Sequence, residues 1–420
     1  MREMKDSGIE WIGAIPQDWK TDRLQWHLKE INVSNNPIQT KNILSLTIEA
    51  GVIPYAEKGN QGNKAKEDYS QYKIAFPDTL VINSMNVIIG AVGISQYFGC
   101  VSPVYYVFEP IEGTDLRYIY YLFTNTGFQK EMRKYAKGIL EIRLRISSND
   151  MLKRIVPSPP FKEQQRIADY LNKMCAEIDT VLEKTRASIE EYKKLKQAII
   201  TQAVTKGIRG DRPMKDSGSV WFEEIPCNWV MKRIKYLFHI KKDIAGKEGY
   251  TVLSITQRGI QPKDLSKNEG QLADNYSHYQ LLNPGDFAMN HMDLLTGWVD
   301  ISKYSGVTSP DYRVFVLDDT EKNDSSYYLY LMQMCYFNRI FYGLGQGVSG
   351  MGRWRLQADK FLNFPVVVPP VDEQKEIASY LNEKCSCIEV MIAKKQQYLT
   401  EIENYKKSLI YEYVTGKREV

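Results

Sequence analysis

The chain has 420 residues, of which 43% are hydrophobic and 25% are charged. These are the proportions of folded globular proteins, so they exclude a largely disordered chain, and the length predicts more than one domain. Lys and Arg number 55 against 51 Asp and Glu, and the resulting net charge of +4 permits nucleic-acid binding without arguing for it.

No targeting or metal-binding segment is predicted. The N-terminus lacks the apolar core of a signal peptide, and no run reaches the roughly 18 apolar residues of a membrane span. The 6 cysteines and 4 histidines do not follow the spacing of zinc ligands. We therefore expect a reduced, cytoplasmic protein with no membrane association.

The first predicted element is a Gly/Pro/Trp segment that occurs twice. Residues 4–8 read MKDSG and so do residues 214–218, an offset of 210 (214 minus 4). Further matches continue in the same order to the C-terminus, such as EQQRIADYL in the first half and EQKEIASYL in the second. With only two copies, the pattern indicates a duplicated domain and not a solenoid.

Short strands and a polar loop follow in each copy. The stretches KNILSLTI, TLVINSMNVIIGAVGI and SPVYYVFEP are β-branched and aromatic and are broken by Gly and Pro, which is typical of strands. The loops YAEKGNQGNKAKEDYSQYK and QPKDLSKNEGQLADNYSHYQ are rich in Lys, Asn, Gln and Tyr. A helical stretch and a Gly/Arg segment close each copy, with KGILEIRLRI in the first and GQGVSGMGRWRL in the second.

The polar loops and Gly/Arg segments differ between copies while the strands repeat. Their side-chain types hold phosphates and read base edges, so two domains with different sequence preferences are predicted. The candidate DNA contacts are Asn60, Gln61, Asn63, Lys64, Lys66, Tyr69, Tyr72, Arg143 and Arg145 in the first copy, and Arg258, Lys263, Lys267, Asn268, Tyr276, Tyr279, Arg353 and Arg355 in the second.

From Phe161 the apolar spacing alternates between three and four, which predicts a helix with one apolar seam. Pro160 and Pro370 suit a helix start, and Gly207 and Gly416 suit a helix end. About 45 residues at 1.5 Å each give a length of about 65 Å, too long for the surface helix of one domain. The two seams are expected to pack as an antiparallel coiled coil that holds the domains apart. A coiled coil between separate chains stays open as the alternative.

The seam positions proposed for this coiled coil, and for the contact with partner subunits, are the repeated apolar residues of the two helices. They are Ile167, Leu171, Ile178, Leu182, Ile189, Ile199, Ile377, Leu381, Ile388, Leu399, Ile402 and Leu409. The same spacing also places Leu195, Met391 and Tyr405 in the seam.

These elements predict an α+β fold with two tandem mixed α/β domains, each followed by a long helix. The predicted boundaries are 1–158 for the first domain, 159–206 for its helix, 207–368 for the second domain and 369–420 for the second helix.

Motifs for catalysis are incomplete. The SPPF at residues 158–161 matches the amino-methyltransferase pattern, but the second copy reads VPPV and no Gly-rich cofactor loop precedes either, so a helix start is the better interpretation. No G-x-x-x-x-G-K-[ST] phosphate loop exists. The Pro-Asp pairs at residues 77–78 and 310–311 lack the carboxylate-x-Lys of a nuclease site. We predict that the chain carries no catalytic residues.

The order of domains and helices, the repeated S-G-x-x-W-x-x-x-I-P-x-x-W opening, and above all PPFKEQQRIADYL and PPVDEQKEIASYL resemble the specificity subunits of type I restriction-modification systems. The resemblance covers essentially the whole chain. It implies two target-recognition domains that each read one half of a bipartite DNA site, and paired helices that set the spacer between the halves.

The resemblance also implies partners. Two modification subunits would dock on the helices and methylate adenine after flipping it from the duplex, and restriction subunits would join them. S-adenosylmethionine, ATP and Mg²⁺ would then belong to the partner subunits and not to this chain. Two other interpretations stay open: a coiled-coil adaptor that presents two protein-binding domains, and a stand-alone enzyme that acts on DNA.

Overall fold

The computed structural model describes residues 2–59, 65–86, 89–138, 144–264, 275–347 and 354–420. The chain forms two compact units: unit 1 is Met1–Arg186 with Gln396–Val420, and unit 2 is Ala187–Lys395. Each unit therefore joins one mixed α/β body to a length of each long helix. The predicted domain boundaries, which separate the bodies from the helices, stay a prediction.

The strands of unit 1 are short, and all their described pairings are antiparallel. They are β1 (Met4–Asp6), β2 (Ala14–Pro16), β3 (Lys20–Arg23), β4 (Leu28–Ile31), β5 (Leu44–Thr47), β6 (Gly51–Pro54), β7 (Lys73–Ala75), β8 (Thr79–Asn83), β9 (Val92–Ser95), β10 (Gly99–Val101), β11 (Tyr105–Pro110) and β12 (Ile155–Ser158).

A four-stranded sheet in the order β4-β11-β8-β9 forms the centre of unit 1. All five residues of β8 are buried, because one face of the sheet packs on α1 (Leu116–Thr124) and the other on the β5-β6 hairpin. The Asp115 side chain caps α1 by accepting a hydrogen bond from the Arg117 amide. Two short helices follow, α2 (Thr126–Arg133) and α3 (Ser148–Leu152).

Unit 2 repeats this topology, with a central sheet in the order β16-β23-β20-β21. Its strands are β13 (Met214–Asp216), β14 (Glu224–Pro226), β15 (Val230–Arg233), β16 (Phe238–Lys241), β17 (Leu253–Thr256), β18 (Gly259–Pro262), β19 (Gln280–Leu282), β20 (Phe287–Met289), β21 (Val299–Ile301), β22 (Gly306–Thr308), β23 (Arg313–Leu317) and β24 (Pro365–Val368). Its short helices are α5 (Ser325–Phe337), α6 (Ile340–Gly343) and α7 (Ala358–Asn363).

The long helices are α4 (Phe161–Lys206) and α8 (Val371–Val414), close to the predicted spans. In unit 1 their segments run antiparallel, since Asp179 accepts from Lys406 at 2.6 Å and Arg186 donates to Glu403 at 2.8 Å. Ile178 and Leu182 are buried between the helices. The antiparallel helix pair and the α+β class are therefore as predicted.

In unit 2 the same two helices also run antiparallel. Lys196 pairs with Glu389, and the Lys395 ammonium lies 5.6 Å from the Tyr192 ring centroid. Ile200 is buried in one cluster with Leu381 and neighbouring residues of α8.

One part of the predicted seam is wrong. Leu195, Met391 and Tyr405 are exposed, while Ile200 and Val204 are buried instead. A strict seven-residue repeat drifts around a helix of 3.6 residues per turn, so spacing alone misplaces positions far from the start of the count. The twelve seam residues named first, from Ile167 to Leu409, are all buried or partly buried.

The Glu-Gln pair of the repeated motif fastens the start of α4 to the body of unit 1. Glu163 accepts hydrogen bonds from the Trp19 indole at 2.9 Å and from the Arg2 guanidinium at 2.5 Å. Gln164 accepts from the amide of Asp115, at the start of α1, at 3.0 Å. We call this group of residues the helix junction of unit 1.

The helix junction of unit 2 consists of the equivalent residues. Glu373 accepts from the Trp229 indole at 2.9 Å and is paired with Arg212. Gln374 accepts from the Asp324 amide at 2.8 Å. The two junctions thus explain why Trp, Glu and Gln recur at fixed positions in both copies.

A buried tyrosine ties each body to the end of the other long helix in its unit. Tyr118 donates to the carbonyl of Val414 at 2.9 Å, and Tyr327 donates to the carbonyl of Val204 at 3.1 Å. The last carbonyls of a helix lack partners within the helix, so each tyrosine satisfies one of them. Each body therefore rests on the start of one long helix and the end of the other.

No helix in the described part of the chain has the length and apolar character needed to cross a membrane.

Candidate nucleic-acid interface

A cleft of about 430 Å³ opens in unit 1 beside the end of β8 and the start of β11; we call it cleft 1. Asn83 and Asn86 line it together with Tyr55, Lys58 and Lys66, and no carboxylate is among the described residues that line it. Amide, phenol and ammonium groups can donate to phosphates and base edges.

Unit 2 has a cleft of about 410 Å³ beside the start of β23; we call it cleft 2. Its lining includes three cationic side chains, Lys242, Arg313 and Arg355, together with His291 and Gln280. Its described lining residues also include no Asp or Glu. Both clefts adjoin the repeated Ser-Pro turn, through Pro103 in one and Pro310 in the other, and then extend along different side chains.

The loop after β8 in unit 1 and after β20 in unit 2 is built around a repeated asparagine. The Asn83 side chain accepts from the Met85 amide at 3.1 Å, and Asn290 accepts from the Met292 amide at 3.2 Å. The residue between the asparagine and the methionine differs between the units: it is Ser84 in unit 1 and His291 in unit 2. We call this segment the Asn-x-Met loop.

The Gly/Arg segments lie against the Asn-x-Met loops in both units. The Ile146 amide donates to the Ser84 carbonyl at 3.2 Å, and the Leu356 amide donates to the His291 carbonyl at 3.0 Å. The residue before each amide is an exposed arginine, Arg145 or Arg355. Two segments far apart in sequence thus meet at the same surface.

The floor of cleft 2 is strongly cationic. Burial lowers the pKa of Arg313 to about 10, and its Nη2 donates to the Leu356 carbonyl at 2.8 Å. Burial, with help from Arg313 and Arg355, lowers the pKa of His291 to about 4. The imidazole is therefore neutral at physiological pH.

Two of the predicted DNA contacts of unit 1 line cleft 1. Lys66 and Tyr72 line cleft 1 and are joined to each other, because the Tyr72 hydroxyl accepts from the Lys66 amide at 2.8 Å. The Tyr72 ring is buried with Ile74, and Tyr69 packs beside it. Lys66 is the exposed cation of this group, and the two tyrosines hold the loop that carries it.

The predicted residues of unit 2 are more dispersed. Arg355 lines cleft 2. Arg258 is exposed at the turn between β17 and β18, and Lys263 follows β18. The rings of Tyr276 and Tyr279 pack edge to face, with centroids 4.9 Å apart.

The remaining predicted contacts lie outside the described residues. They are Asn60, Gln61, Asn63, Lys64, Arg143, Lys267, Asn268 and Arg353. As a set, the DNA contacts stay a prediction.

Asn83, Asn290, His291 and Arg313 were not among the residues predicted from the sequence. A signal was present for the asparagines, because NSMNVIIG and NHMDLLTG align within the repeat. No signal marked Arg313, since it lies in a strand pattern and its position in the first copy is Tyr106.

A larger cavity of about 590 Å³ lies at the opposite end of the central sheet of unit 1. Its lining includes Glu30, Asp78 and Glu109. Carboxylates repel phosphate, so this cavity is less suited to DNA than cleft 1. Nowhere in the described residues do three or more His, Cys, Asp or Glu side chains come together to hold a metal ion.

The model of the type I restriction-modification DNA specificity domain matches the chain twice, at residues 16–191 and 226–401. The chain belongs to this family. Membership confirms the resemblance drawn from the repeated Pro-Pro-x-x-Glu-Gln motif, and each of the two family domains spans one body and the first part of the helix that follows it.

Members of this specificity family with curated names are distant in sequence. The MjaVIII specificity subunit of a type I restriction enzyme from Methanocaldococcus jannaschii is 26% identical and covers 73% of this chain and 71% of its own length. The putative MjaX specificity subunit from the same organism is 24% identical, over 97% of this chain and 96% of its own.

A solved structure on complex assembly and conformational transition of the type I restriction-modification system contains a chain of the same fold. It covers 96% of this chain and 99% of its own length, with a TM-score of 0.70 at 12% identity. At that identity the likeness concerns the fold alone.

Proposed function

We propose that this chain is the non-catalytic specificity subunit of a type I restriction-modification complex, in which each unit reads one half of a bipartite DNA site. The observation that carries the proposal is the contrast between identical topologies and different clefts. The two scaffolds have one design but carry different side chains at equivalent positions, such as Ser84 against His291 and Tyr106 against Arg313. This suits the recognition of two different short sequences.

The composition of the clefts supports contact with duplex DNA. Both are lined by cations, amides and tyrosines, and their described lining residues include no carboxylate. Contacts to phosphates release counterions, so the affinity should fall steeply as the salt concentration rises. Contacts to base edges from the Asn-x-Met loop and the Gly/Arg segment would supply sequence preference.

The exposed apolar residues of the long helices support docking of two modification subunits. Val181 of α4 and Tyr405 of α8 are exposed in unit 1, and the residues 210 positions away from each, Met391 and Leu195, are exposed in unit 2. An apolar pair that recurs in both units suits a partner that binds twice. S-adenosylmethionine, ATP and Mg²⁺ would be bound by the partner subunits.

Charge substitutions test this docking. Replacing Val181 and Tyr405 by Glu should leave one modification subunit bound, and the matched double substitution of Met391 and Leu195 should do the same. Native mass spectrometry of the assembled complex gives the stoichiometry. Two bound modification subunits in the variant carrying all four substitutions would contradict docking at this surface.

The long helices would set the spacer between the two half-sites. One heptad inserted between residues 178 and 199, with a matching heptad between residues 388 and 409, preserves the seam while it lengthens both helices. Sequencing of methylated DNA should then show a longer unspecified spacer or no methylation. An active variant with an unchanged spacer would refute this role.

The experiment that tests the function as a whole is reconstitution with a modification subunit. Methylation of adenine at a bipartite site is expected only when this chain is present. Methylation without it, or no methylation of any bipartite site with it, would overturn the proposal.

A further inference from the structure

Arg313 in cleft 2 is a buried cation that has no counter-ion among the described residues. Its residue is 5% exposed, and its contacts among the described residues include no ion pair with a carboxylate. Its guanidinium contacts the Leu356 carbonyl at 2.8 Å, the Met289 sulfur at 3.7 Å and the Phe361 ring, whose centroid lies 4.9 Å away. Burying a charge without an opposite charge is unfavourable, so the site favours an anion.

The rest of cleft 2 strengthens this positive field. Lys242 and Arg355 line the same cleft, and both are exposed without an ion-pair partner among the described residues. The neutral His291 adds no charge. Asp359 lies near enough to act electrostatically on Arg313, and Asp311 and Asp293 act in the same way on Tyr312. None of these three carboxylates is in the described lining of the cleft.

The equivalent position in unit 1 carries the same charge on a neighbouring residue. Tyr106 replaces Arg313 and donates to the Ile146 carbonyl at 3.1 Å, the counterpart of the Leu356 carbonyl. Lys73, which replaces Gln280, has its ammonium 5.7 Å from the Tyr106 ring centroid. Unit 1 thus combines Lys with Tyr where unit 2 combines Gln with Arg.

Each unit thus keeps one cation at this position, and the hydrogen bonds to the neighbouring backbone carbonyls are made in both units. Lys73 donates to the Tyr105 carbonyl at 3.3 Å, and Gln280 donates to the Tyr312 carbonyl at 2.8 Å. A purely structural role would be met by the hydrogen bonds alone. The retained charge indicates that the ligand uses it.

We propose that cleft 2 binds one phosphate group of the DNA backbone through the Arg313 and Arg355 guanidiniums, with Lys242 at its rim. The assignment rests on the proposed DNA-recognition function and names the group that holds the duplex in unit 2. Arginine suits this task because its planar N–H fork matches two oxygens of a phosphate.

The first test replaces the floor of cleft 2 by that of unit 1. The Arg313→Tyr substitution removes the charge but keeps a donor to the Leu356 carbonyl, and adding Gln280→Lys returns the charge at the neighbouring position. The full chain is titrated with duplex DNA at several salt concentrations. Arg313→Tyr should lower the affinity roughly tenfold to a hundredfold. The slope of log affinity against log salt should become shallower by about 0.9.

The double variant should recover the slope. An unchanged slope in Arg313→Tyr, with only a lower Tm, would identify a structural arginine and overturn the proposal. A loss that Gln280→Lys does not reverse would overturn it as well, because the ligand would then not be using the charge.

The second test separates this inference from DNA recognition. Inorganic phosphate is added to the full chain at pH 7 and constant ionic strength, and the imidazole NMR signals of His291 are followed, assigned with His291→Gln. A saturable shift in the wild type that is absent in Arg313→Tyr supports an anion site even if no duplex binds. No shift in the wild type would overturn the inference, whereas phosphate binding without duplex binding would count against the proposed function alone.

Discussion

The helix junctions and the clefts follow opposite rules. At the junctions, Trp19 and Trp229 donate to equivalent glutamates at the same 2.9 Å distance. In the Asn-x-Met loops beside the clefts, equivalent positions carry different chemistry, such as Ser84 against His291. The two copies therefore share the residues that hold each body on the helices and differ in residues at and beside the clefts. Two units can then have one geometry and two specificities.

The largest expected effect comes from exchanging a whole body. Replacing residues 20–158 by the same segment of another family member should change one specified half of the methylated motif and leave the other half and the spacer unchanged. The reason is that the junctions and helices stay as they are. Sequencing of methylated DNA gives the motif. A change in both halves would contradict the proposal that each body determines one half-site.

The junctions should differ in strength. Glu373→Ala should lower the free energy of unfolding by about 3–5 kcal/mol, because its side chain is 2% exposed and Arg212 would lose its counter-charge. Glu163→Ala should cost about half as much, since its side chain is 18% exposed and Arg2 keeps Asp18 at 2.6 Å. Urea unfolding measures both variants.

The matched control for this pair is Glu376→Ala on the same helix. Glu376 pairs with Arg209 at 2.8 Å, and both side chains are about half exposed. Its removal should cost less than about 1 kcal/mol. If Glu376→Ala were as destabilising as Glu373→Ala, the argument from burial would fail.

Acid should weaken unit 2 through His291. Its folded pKa of about 4 lies below the ordinary value near 6.5, so the unfolded chain takes up a proton first as the pH falls. Stability is therefore lost between about pH 6.5 and 4, by roughly 2–3 kcal/mol. The His291→Gln variant should lack this part of the loss. Between about pH 6.5 and 4 the wild type should therefore lose this free energy of unfolding relative to the variant, and the same pH dependence in both proteins would contradict the account.

A smaller effect than those of Glu373 and His291 is expected at the buried tyrosines. Tyr118→Phe and Tyr327→Phe each remove a hydrogen bond to a helix-end carbonyl and should each cost about 1–2 kcal/mol. The two costs should be nearly equal, because these residues belong to the part that repeats. A difference above about 1 kcal/mol between the two losses in the free energy of unfolding would show that the two tyrosines do not stabilise their units equally.

The sequence predicts the frame well because the frame is periodic and repeated. The spans of α4 and α8, the antiparallel helix pair and the two mixed bodies follow from apolar spacing and from the offset of 210 (214 minus 4). Leu195, Met391 and Tyr405 were misplaced because a seven-residue repeat drifts on a real helix.

The clefts are harder to predict because they are assembled from distant segments. Arg313 lies in a strand, and only the fold brings it beside Arg355 and His291. The role proposed for Arg313 depends on burial with no counter-ion among the described residues, a property that a single sequence does not display. Tyr72 is the opposite case. It was predicted as a DNA contact because tyrosine is typical of contact surfaces, but its ring lies in the core.

The proposed function requires one repeated scaffold to recognise two different DNA half-sites. The most direct test is to sequence the methylated adenines in DNA treated with this chain and its modification subunits. The account predicts a single motif with two short specified parts of different sequence, separated by an unspecified spacer of fixed length. A motif in one contiguous block, two identical halves, or methylation at no defined sequence would contradict it.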